Sequence, residues 1–279
     1  MATNRPLFPV IFTDLDGTLL DHDSYSAKPA DRLIRQISEQ SIGAVVPVTS
    51  KTRAELRALQ RSIPLPLSIG VSENGSVIYA PDGYPFINTN EPQIILLGIE
   101  YSGILDRIDN LPKNLRQHII GFSDMSGTEL SKVTGLELND ALLAKRREAS
   151  EPFLWSGSDA ELEELNLIMA DFNIRIQRGG RFYHFTGQAT KDLAMARIMG
   201  AFTERTPRAD IISIALGDGP NDLGMIEAAD IGVIMPNPEG VTIQSCKSHV
   251  RTASMPGPRG WAMAVAEIIV ELGVILPER

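Results

Sequence analysis

Two carboxylates, Asp14 and Asp16, stand two residues apart at the end of an apolar run, and Gly17 follows at once. In an extended chain, side chains at i and i+2 point to the same side. Two acids so placed repel one another unless a cation or a shared proton, or both, relieves them. Further along stand Thr49-Ser50, Lys191, and the run Gly217-Asp218-Gly219-Pro220-Asn221-Asp222. Together these residues offer carboxylates for a hard cation, hydroxyls and an amide for phosphoryl oxygens, and an ammonium to balance charge. That inventory suits phosphoryl transfer.

The elements that must bring these residues together can be read from periodicity and punctuation. Leu7 to Phe12 reads as a first strand. Lys28-Pro29 opens a helix with Leu33, Ile34 and Ile37 on one face, closed by Gly43. Ala44 to Val48 reads as a buried strand, although Pro47 counts against a central position. Thr52 with Glu55 makes a capping box for a helix to about Ser62. Short strands, Leu67 to Val71 and Val77 to Tyr79, flank the turn Glu73-Asn74-Gly75. From Tyr84 to Gly187 the pattern changes. Helical stretches (Gln93 to Asp109, Glu129 to Val133, Asn139 to Arg147, Ala160 to Phe172) alternate with strands (Gln117 to Phe122, Pro152 to Trp155, Ile174 to Gln177, Arg181 to Phe185). The first pattern resumes with a helix from Lys191, a strand Ile211 to Leu216, a helix Asn221 to Ala229 and a strand Ile231 to Ile234. Helices at Glu239 to Cys246 and Gly260 to Leu272 close the chain. The expected fold class is α/β: a doubly wound, mostly parallel Rossmann-like sheet from residues 1–83 and 188–279, with an inserted α+β domain at 84–187. Such a sheet gathers its site at the carboxyl ends of its strands, where Asp14, Thr49 and Asp218 fall.

Composition narrows the function classes. The 279 residues are 43% hydrophobic and 22% charged, as in a soluble globular protein. A formal charge of -9 argues against a nucleic-acid surface, yet leaves room for a local basic pocket and a small anionic substrate. One cysteine, Cys246, permits no intrachain disulfide. No signal-like or membrane-length apolar stretch is read, so a cytoplasmic protein without a membrane or nucleic-acid partner is expected. Rival readings of the pieces fare worse. An EF-hand counted from Asp14 would need glutamate where Tyr25 stands. A dinucleotide fingerprint would need glycine where Asp222 stands. A nucleotide-sugar transferase using Asp14 and Asp16 leaves Gly217 to Asp222 without a role.

In combination and order, Asp14-Leu15-Asp16-Gly17-Thr18, Thr49-Ser50, Lys191 and Gly217 to Asp222 resemble the haloacid dehalogenase superfamily of phosphotransferases. The long insertion resembles that superfamily's α+β cap. The stretches Thr49 to Glu55, Arg146 to Phe153, Gly179 to His184 and Gly257 to Trp261 resemble its phosphoglycerate-glycoside branch. The resemblance implies Asp14 as the nucleophile that becomes an aspartyl-phosphate and Asp16 as the general acid and base. It implies a magnesium ion on Asp14, the Asp16 carbonyl and Asp218, with Asp222 as a further candidate. Thr49 and Lys191 would then serve the transferring phosphoryl group. The implied substrate is a small phosphorylated glycoside, a mannosyl- or glucosyl-3-phosphoglycerate. A broader sugar-phosphate range and a non-catalytic phosphometabolite sensor are the alternatives.

Two departures bear on that reading. Many relatives carry Lys-Gly where Lys191-Asp192 stands, and sugar phosphatases read Thr-Gly-Arg where this chain has Thr49-Ser50-Lys51. Substrate selection is expected from Ser50, Lys51 and Asn221 beside the phosphate, and from Arg146, Arg147 and the hairpin Arg178-Gly179-Gly180-Arg181, whose guanidiniums suit a carboxylate. Glu148, Ser150 and Glu151 are candidates for sugar hydroxyls. Joints near Pro81-Asp82-Gly83 and Thr186-Gly187 are expected to let the insert close over the site.

Overall fold

The computed structural model describes residues 5–22, 24–63, 69–80, 93–179, 181–206, 208–237 and 242–274. The chain begins with strand β1 (Leu7–Thr13), helix α1 (Lys28–Glu39), strand β2 (Ala44–Pro47) and helix α2 (Arg53–Ser62). Strands β3 (Gly70–Ser72), β4 (Val77–Ala80) and β5 (Gln93–Leu96) follow. Next come α3 (Tyr101–Asp109), α4 (Lys113–Arg116), β6 (Ile119–Gly121), α5 (Gly127–Thr134), α6 (Leu138–Ala144), β7 (Ser150–Trp155), α7 (Asp159–Ala170), β8 (Arg175–Arg178) and β9 (Tyr183–Thr186). The chain then runs through α8 (Lys191–Arg205), β10 (Asp210–Gly217), α9 (Leu223–Ala228), β11 (Ile231–Ile234), β12 (Val250–Thr252) and α10 (Gly257–Glu271).

Five parallel strands in the order β12-β11-β10-β1-β2 make the main sheet. Alternation along β1 explains its two covered faces. Ile11 joins Ile34, Trp261, Val265 and Ile268 from α1 and α10. Val10 and Phe12 join Ala194, Ile198 and Met225 from α8 and α9 on the opposite face. This is the expected doubly wound α/β core. Pro47 is accommodated because β2 is the outer strand of the five, with β1 as its single partner in that sheet. A single parallel bridge, Val48 to Val71, carries the edge onward to the antiparallel sheet β3-β4-β5.

Three sequence expectations are corrected. Gln93–Leu96 is a strand hydrogen-bonded antiparallel to β4, and helix begins only at Tyr101. Its Gln-Ile-Ile-Leu run can be read with either period when so short. Residues 242–246 of the expected helix Glu239 to Cys246 are irregular, and the sheet gains β12 after them; Glu239 itself lies outside the described residues. Finally, α6 ends at Ala144, so Arg146 and Arg147 follow the helix rather than ride on it. The joint at Pro81-Asp82-Gly83 and part of the strand expected from Leu67 also lie outside the described residues.

The second antiparallel sheet runs β6-β7-β9-β8, backed by α3 and α7 through Ile104, Phe153, Leu165, Met169 and Phe185. Its two chain connections meet each other: a Cβ on Gly187 would stand 2.9 Å from the Ile99 nitrogen and 3.2 Å from the Gly98 Cα. Only glycine permits two backbones to meet so closely.

Candidate active site

Asp14 follows β1 directly, and its amide donates to the Leu216 carbonyl of β10, so the neighbouring strand fixes its position at 2.9 Å. Below it, Thr13 hands a hydrogen bond to the Asp14 carbonyl (2.7 Å) and receives one from the buried Trp261 indole (3.0 Å). The tryptophan is therefore core, and it also props the backbone that carries Asp14. Gly17 takes φ +76°, and a Cβ there would lie 2.8 Å from the Asp218 carboxylate, so this glycine lets the two loops approach.

Lys191, 2% exposed, opens α8 and binds two acids at once: Asp14 Oδ1 at 2.7 Å and Asp222 Oδ1 at 2.5 Å. The other Asp222 oxygen, Oδ2, accepts the amides of Asp218 (3.1 Å) and Gly219 (2.9 Å). Both Asp222 oxygens are thus engaged in holding the loop and the lysine. Asp218 receives Thr18 (3.2 Å) and Asn237 (2.9 Å), one on each oxygen. Asp16 Oδ2 pairs with Lys51 Nζ at 2.7 Å, whereas Asp16 Oδ1 is buried and has no hydrogen-bond partner among the described residues. Burial works against the Lys51 ammonium, but the Asp16 carboxylate outweighs it and holds the lysine above its ordinary value.

The electrostatics of the cluster are those of an acid excess. Burial pushes the Asp14 carboxyl up to about 8; Lys191 opposes this, and Asp222 and Asp16 add to it. Burial, then Asp222, raises Asp218 to about 6. Lys191 loses by burial yet is raised overall, because Asp14 and Asp222 favour its charged form.

Thr49 is 1% exposed, its amide donates to Val71 and its hydroxyl accepts from the Lys51 amide at 3.2 Å. The turn Glu73-Asn74-Gly75 sits behind it. Glu73 donates its amide to the Lys51 carbonyl and Asn74 donates its amide to the Thr49 carbonyl, each at 3.0 Å. Asn221 Nδ2 donates to Asn74 Oδ1 at 3.2 Å. Gly75, at φ +102°, abuts the start of α8, where a Cβ would lie 2.2 Å from the Thr190 oxygen. The turn therefore touches three of the four motifs.

Residues 143–150 reach the site from the far side of the chain. Arg147 donates to the Ser50 carbonyl at 3.1 Å and to the Ala144 carbonyl at 2.9 Å. Arg53 grips Glu148 with two hydrogen bonds of 2.9 and 2.7 Å. Glu73 accepts from the Glu148 amide (2.8 Å), the Ala149 amide (3.0 Å) and the Ser150 hydroxyl (2.6 Å). Glu151 is taken by Tyr101 and Ser123. The candidates for sugar hydroxyls, Glu148, Ser150 and Glu151, are thus all engaged in hydrogen bonds within the protein. Arg181 donates to the carbonyls of Val133 and Thr134, where a cation satisfies the end of α5. Arg178 lies over the Tyr183 ring, 5.7 Å from its centroid, and the Gly179 amide closes the hairpin on Phe182. Gly180 is outside the described residues.

A family model for haloacid dehalogenase-like hydrolases matches residues 203–254, the stretch that holds β10 and the Gly217 to Asp222 loop. The chain is 32% identical to a glucosyl-3-phosphoglycerate/mannosyl-3-phosphoglycerate phosphatase of Persephonella marina, over 94% of this chain and 98% of that protein. A phosphatase of the same description from Methanococcoides burtonii is 33% identical over 93% and 97% of the two chains. The chain belongs to the haloacid dehalogenase-like hydrolases. It is a phosphoric monoester hydrolase. The fold agrees: a haloacid dehalogenase-like hydrolase of Bacteroides thetaiotaomicron superposes with a TM-score of 0.64, at 20% identity over 94% of this chain and 99% of that one.

The hydrolase offers a coherent place for a cation. Asp14, Asp218 and Asp222 each bring a carboxylate oxygen within 4.8 Å of the others. Three carboxylates gather here around the single ammonium of Lys191, and oxygen donors alone suit a hard divalent ion. Two groups escaped the sequence reading. Asn237 touches Asp218 from beyond β11, with no motif to signal it. Glu73 and Asn74 read as an ordinary turn, although two consecutive non-glycine residues with positive φ, +53° and +56°, mark it as unusual.

Proposed function

We propose that this hydrolase removes the phosphate of a glycosyl-3-phosphoglycerate, mannosyl or glucosyl, in a magnesium-dependent reaction through an aspartyl-phosphate on Asp14. The observation that carries the reading is the buried Asp14–Lys191–Asp222 cluster beside Asp218, in a chain similar over nearly its whole length to phosphatases named for both compounds.

Asp14 and Asp218 are the carboxylates with capacity left for magnesium, joined by the Asp16 carbonyl. Asp222, with Lys191 on one oxygen and two amides on the other, serves as a positioning residue. Magnesium supplies charge neutralisation, letting an anionic nucleophile meet an anionic phosphate. Lys191 opposes the upward push of burial on Asp14, which a bound cation would complete, and aims the carboxylate as it attacks phosphorus in line. Asp16, with Oδ1 unspent and Lys51 orienting Oδ2, protonates the departing glycerate oxygen. It then takes a proton from the water that hydrolyses the acyl phosphate. Thr49 and Ser50 donate to the phosphoryl oxygens. Arg147, anchored on the Ser50 carbonyl, is placed to meet the glycerate carboxylate. The division into a core and an insert that closes over the site belongs to the same proposal; because β5 pairs with β4, the insert starts at Gly98, where it meets Gly187, rather than at residue 84.

The test is phosphate release from mannosyl- and glucosyl-3-phosphoglycerate against common sugar phosphates, with magnesium and with chelator. The expected result is release from the phosphoglycerates, lost on chelation and lost at least roughly 10³-fold in Asp14→Asn. Release confined to other sugar phosphates would overturn the substrate, and near-normal turnover by the folded Asp14→Asn protein would overturn the mechanism.

A further inference from the structure

A cleft of about 360 Å³ lies between α2 and the connection from α6 to β7, lined by Arg53, Ala54, Arg57, Arg61, Leu143, Arg146, Arg147 and Glu148. Five guanidiniums thus face one carboxylate, in a protein whose formal charge is -9. Arg53, Arg57 and Arg61 recur every four residues, so they share one face of α2 with about 6 Å between successive positions. Arg146 and Arg147 form the other wall. Glu148 is already held by Arg53, and Arg147 by backbone carbonyls. Arg57 lies over the Tyr79 ring, 4.4 Å from its centroid, and has no acidic partner among the described residues. Arg61 and Arg146 have no acidic partner among the described residues. The lining contains none of Asp14, Asp16, Asp218, Asp222 or Lys191.

Solvated arginines along one helix need no explanation. Two walls of them closing on a shared cleft do, because like charges brought together without a counter-ion repel. Guanidinium forks match carboxylate and phosphate groups, in pairs of parallel hydrogen bonds. We propose that this cleft is a second anion-binding site, adjoining the substrate site at Arg147 and outside the catalytic cluster, where Arg57, Arg61 and Arg146 hold a small organic molecule carrying two acidic groups about 6 Å apart. A phosphate and a carboxylate on one three-carbon frame meet that description. Because α2 precedes the insert in the chain and Arg146 and Arg147 belong to it, such a ligand bridges both walls and favours their closed arrangement.

The experiment uses 3-phosphoglycerate as probe and isothermal calorimetry on the magnesium-free protein, comparing wild type with Arg57→Gln/Arg61→Gln. The expected result is probe affinity at least tenfold weaker in the double variant, with magnesium-dependent hydrolysis of p-nitrophenyl phosphate within twofold of wild type. Equal probe affinity in the two proteins would overturn the site. Loss of p-nitrophenyl phosphate hydrolysis in a variant that melts like wild type would also overturn it, by placing these arginines in the catalytic machinery. If the double variant melts differently, Arg146→Gln on the opposite wall decides: weakened probe binding supports the cleft, and unchanged binding refutes it. Any binding of the probe at the catalytic cluster is common to both proteins, so the difference between them reports on the cleft whether or not the proposed substrate is right.

Discussion

At the scale of single residues, Lys191 is the group on which the cluster's charge balance turns. It is buried, and its ammonium is the one cation bonded to Asp14 and Asp222 among the described residues. Removing one member of a buried ion pair leaves the others uncompensated, a cost of roughly 3–5 kcal/mol. Lys191→Met is therefore expected to lose stability of that order in urea unfolding, together with all phosphatase activity. A variant as stable as wild type would show that the pair contributes nothing net. His184 makes a different prediction. Burial, and then the nearby Arg147 charge, holds its imidazole down at about 3, against about 6.5 in an unfolded chain. Between those values the unfolded state binds the proton and the folded state does not, so stability falls as pH drops from about 6.5 toward 3. At pH 5 this amounts to at most about 2 kcal/mol. His184→Asn removes the titration, so its loss of stability between pH 7 and pH 5 should be smaller than that of wild type. Equal losses in urea melts would place the pH dependence elsewhere.

At the scale of elements, what could be read in advance depended on whether the signal was local. The capping box of Thr52 with Glu55 is a self-contained four-residue device and is present, as are two more at Ser126 and Ser158. The motifs at Asp14, Thr49, Lys191 and Gly217 to Asp222 were legible because each is a strand end or helix start. The strand at Gln93–Leu96 was not legible, since its identity comes from pairing with β4 rather than from its own pattern. Nor was the end of α6 before Arg146. Arg181 was misread for a related reason: the carbonyls of Val133 and Thr134 that it satisfies lie about fifty residues away in sequence. Gly75 shows how a turn residue comes to serve the site. An alanine there must keep φ near +102° and place its Cβ into the Thr190 carbonyl and 2.8 Å from the Lys191 amide. The backbone conformation alone costs about 1–3 kcal/mol in a non-glycine residue. Gly75→Ala is expected to lower the melting temperature and, by displacing the start of α8, to depress kcat more than a surface substitution of equal destabilisation. Measuring both in one variant checks this: a stability loss with unchanged kcat would mean that Lys191 tolerates the shift.

For the whole molecule, the question is what would hold the proposed insert against the core, and Glu73 stands at that seam. Its side chain is 1% exposed and accepts three hydrogen bonds from residues 148–150, while its own backbone and that of Asn74 are tied to Lys51 and Thr49. Insert position is thereby communicated to the loop carrying Thr49 through two residues. The strained φ of both is the conformation that lets backbone and side chain serve opposite sides of the interface. Arg53 with Glu148, Thr52 with the Leu143 carbonyl and Arg147 with the Ser50 carbonyl reinforce the same seam. Hydrogen bonds to a charged acceptor contribute about 1.5–3 kcal/mol each. Glu73→Gln keeps the shape but removes the charge and turns one acceptor into a donor facing other donors. Amide exchange at Glu148 and Ala149 should then accelerate by about 10- to 100-fold, corresponding to about 1.4–2.8 kcal/mol of lost local stability. Exchange at Leu165 and Met169, inside the insert's own core, should stay as in wild type. KM for a phosphorylated glycoside should rise as the closed arrangement becomes less populated, while the fold of each part persists. Unchanged exchange at both amides would mean that the Arg53 and Arg147 contacts hold the seam alone, and that the strain at Glu73 and Asn74 serves the Thr49 loop rather than closure.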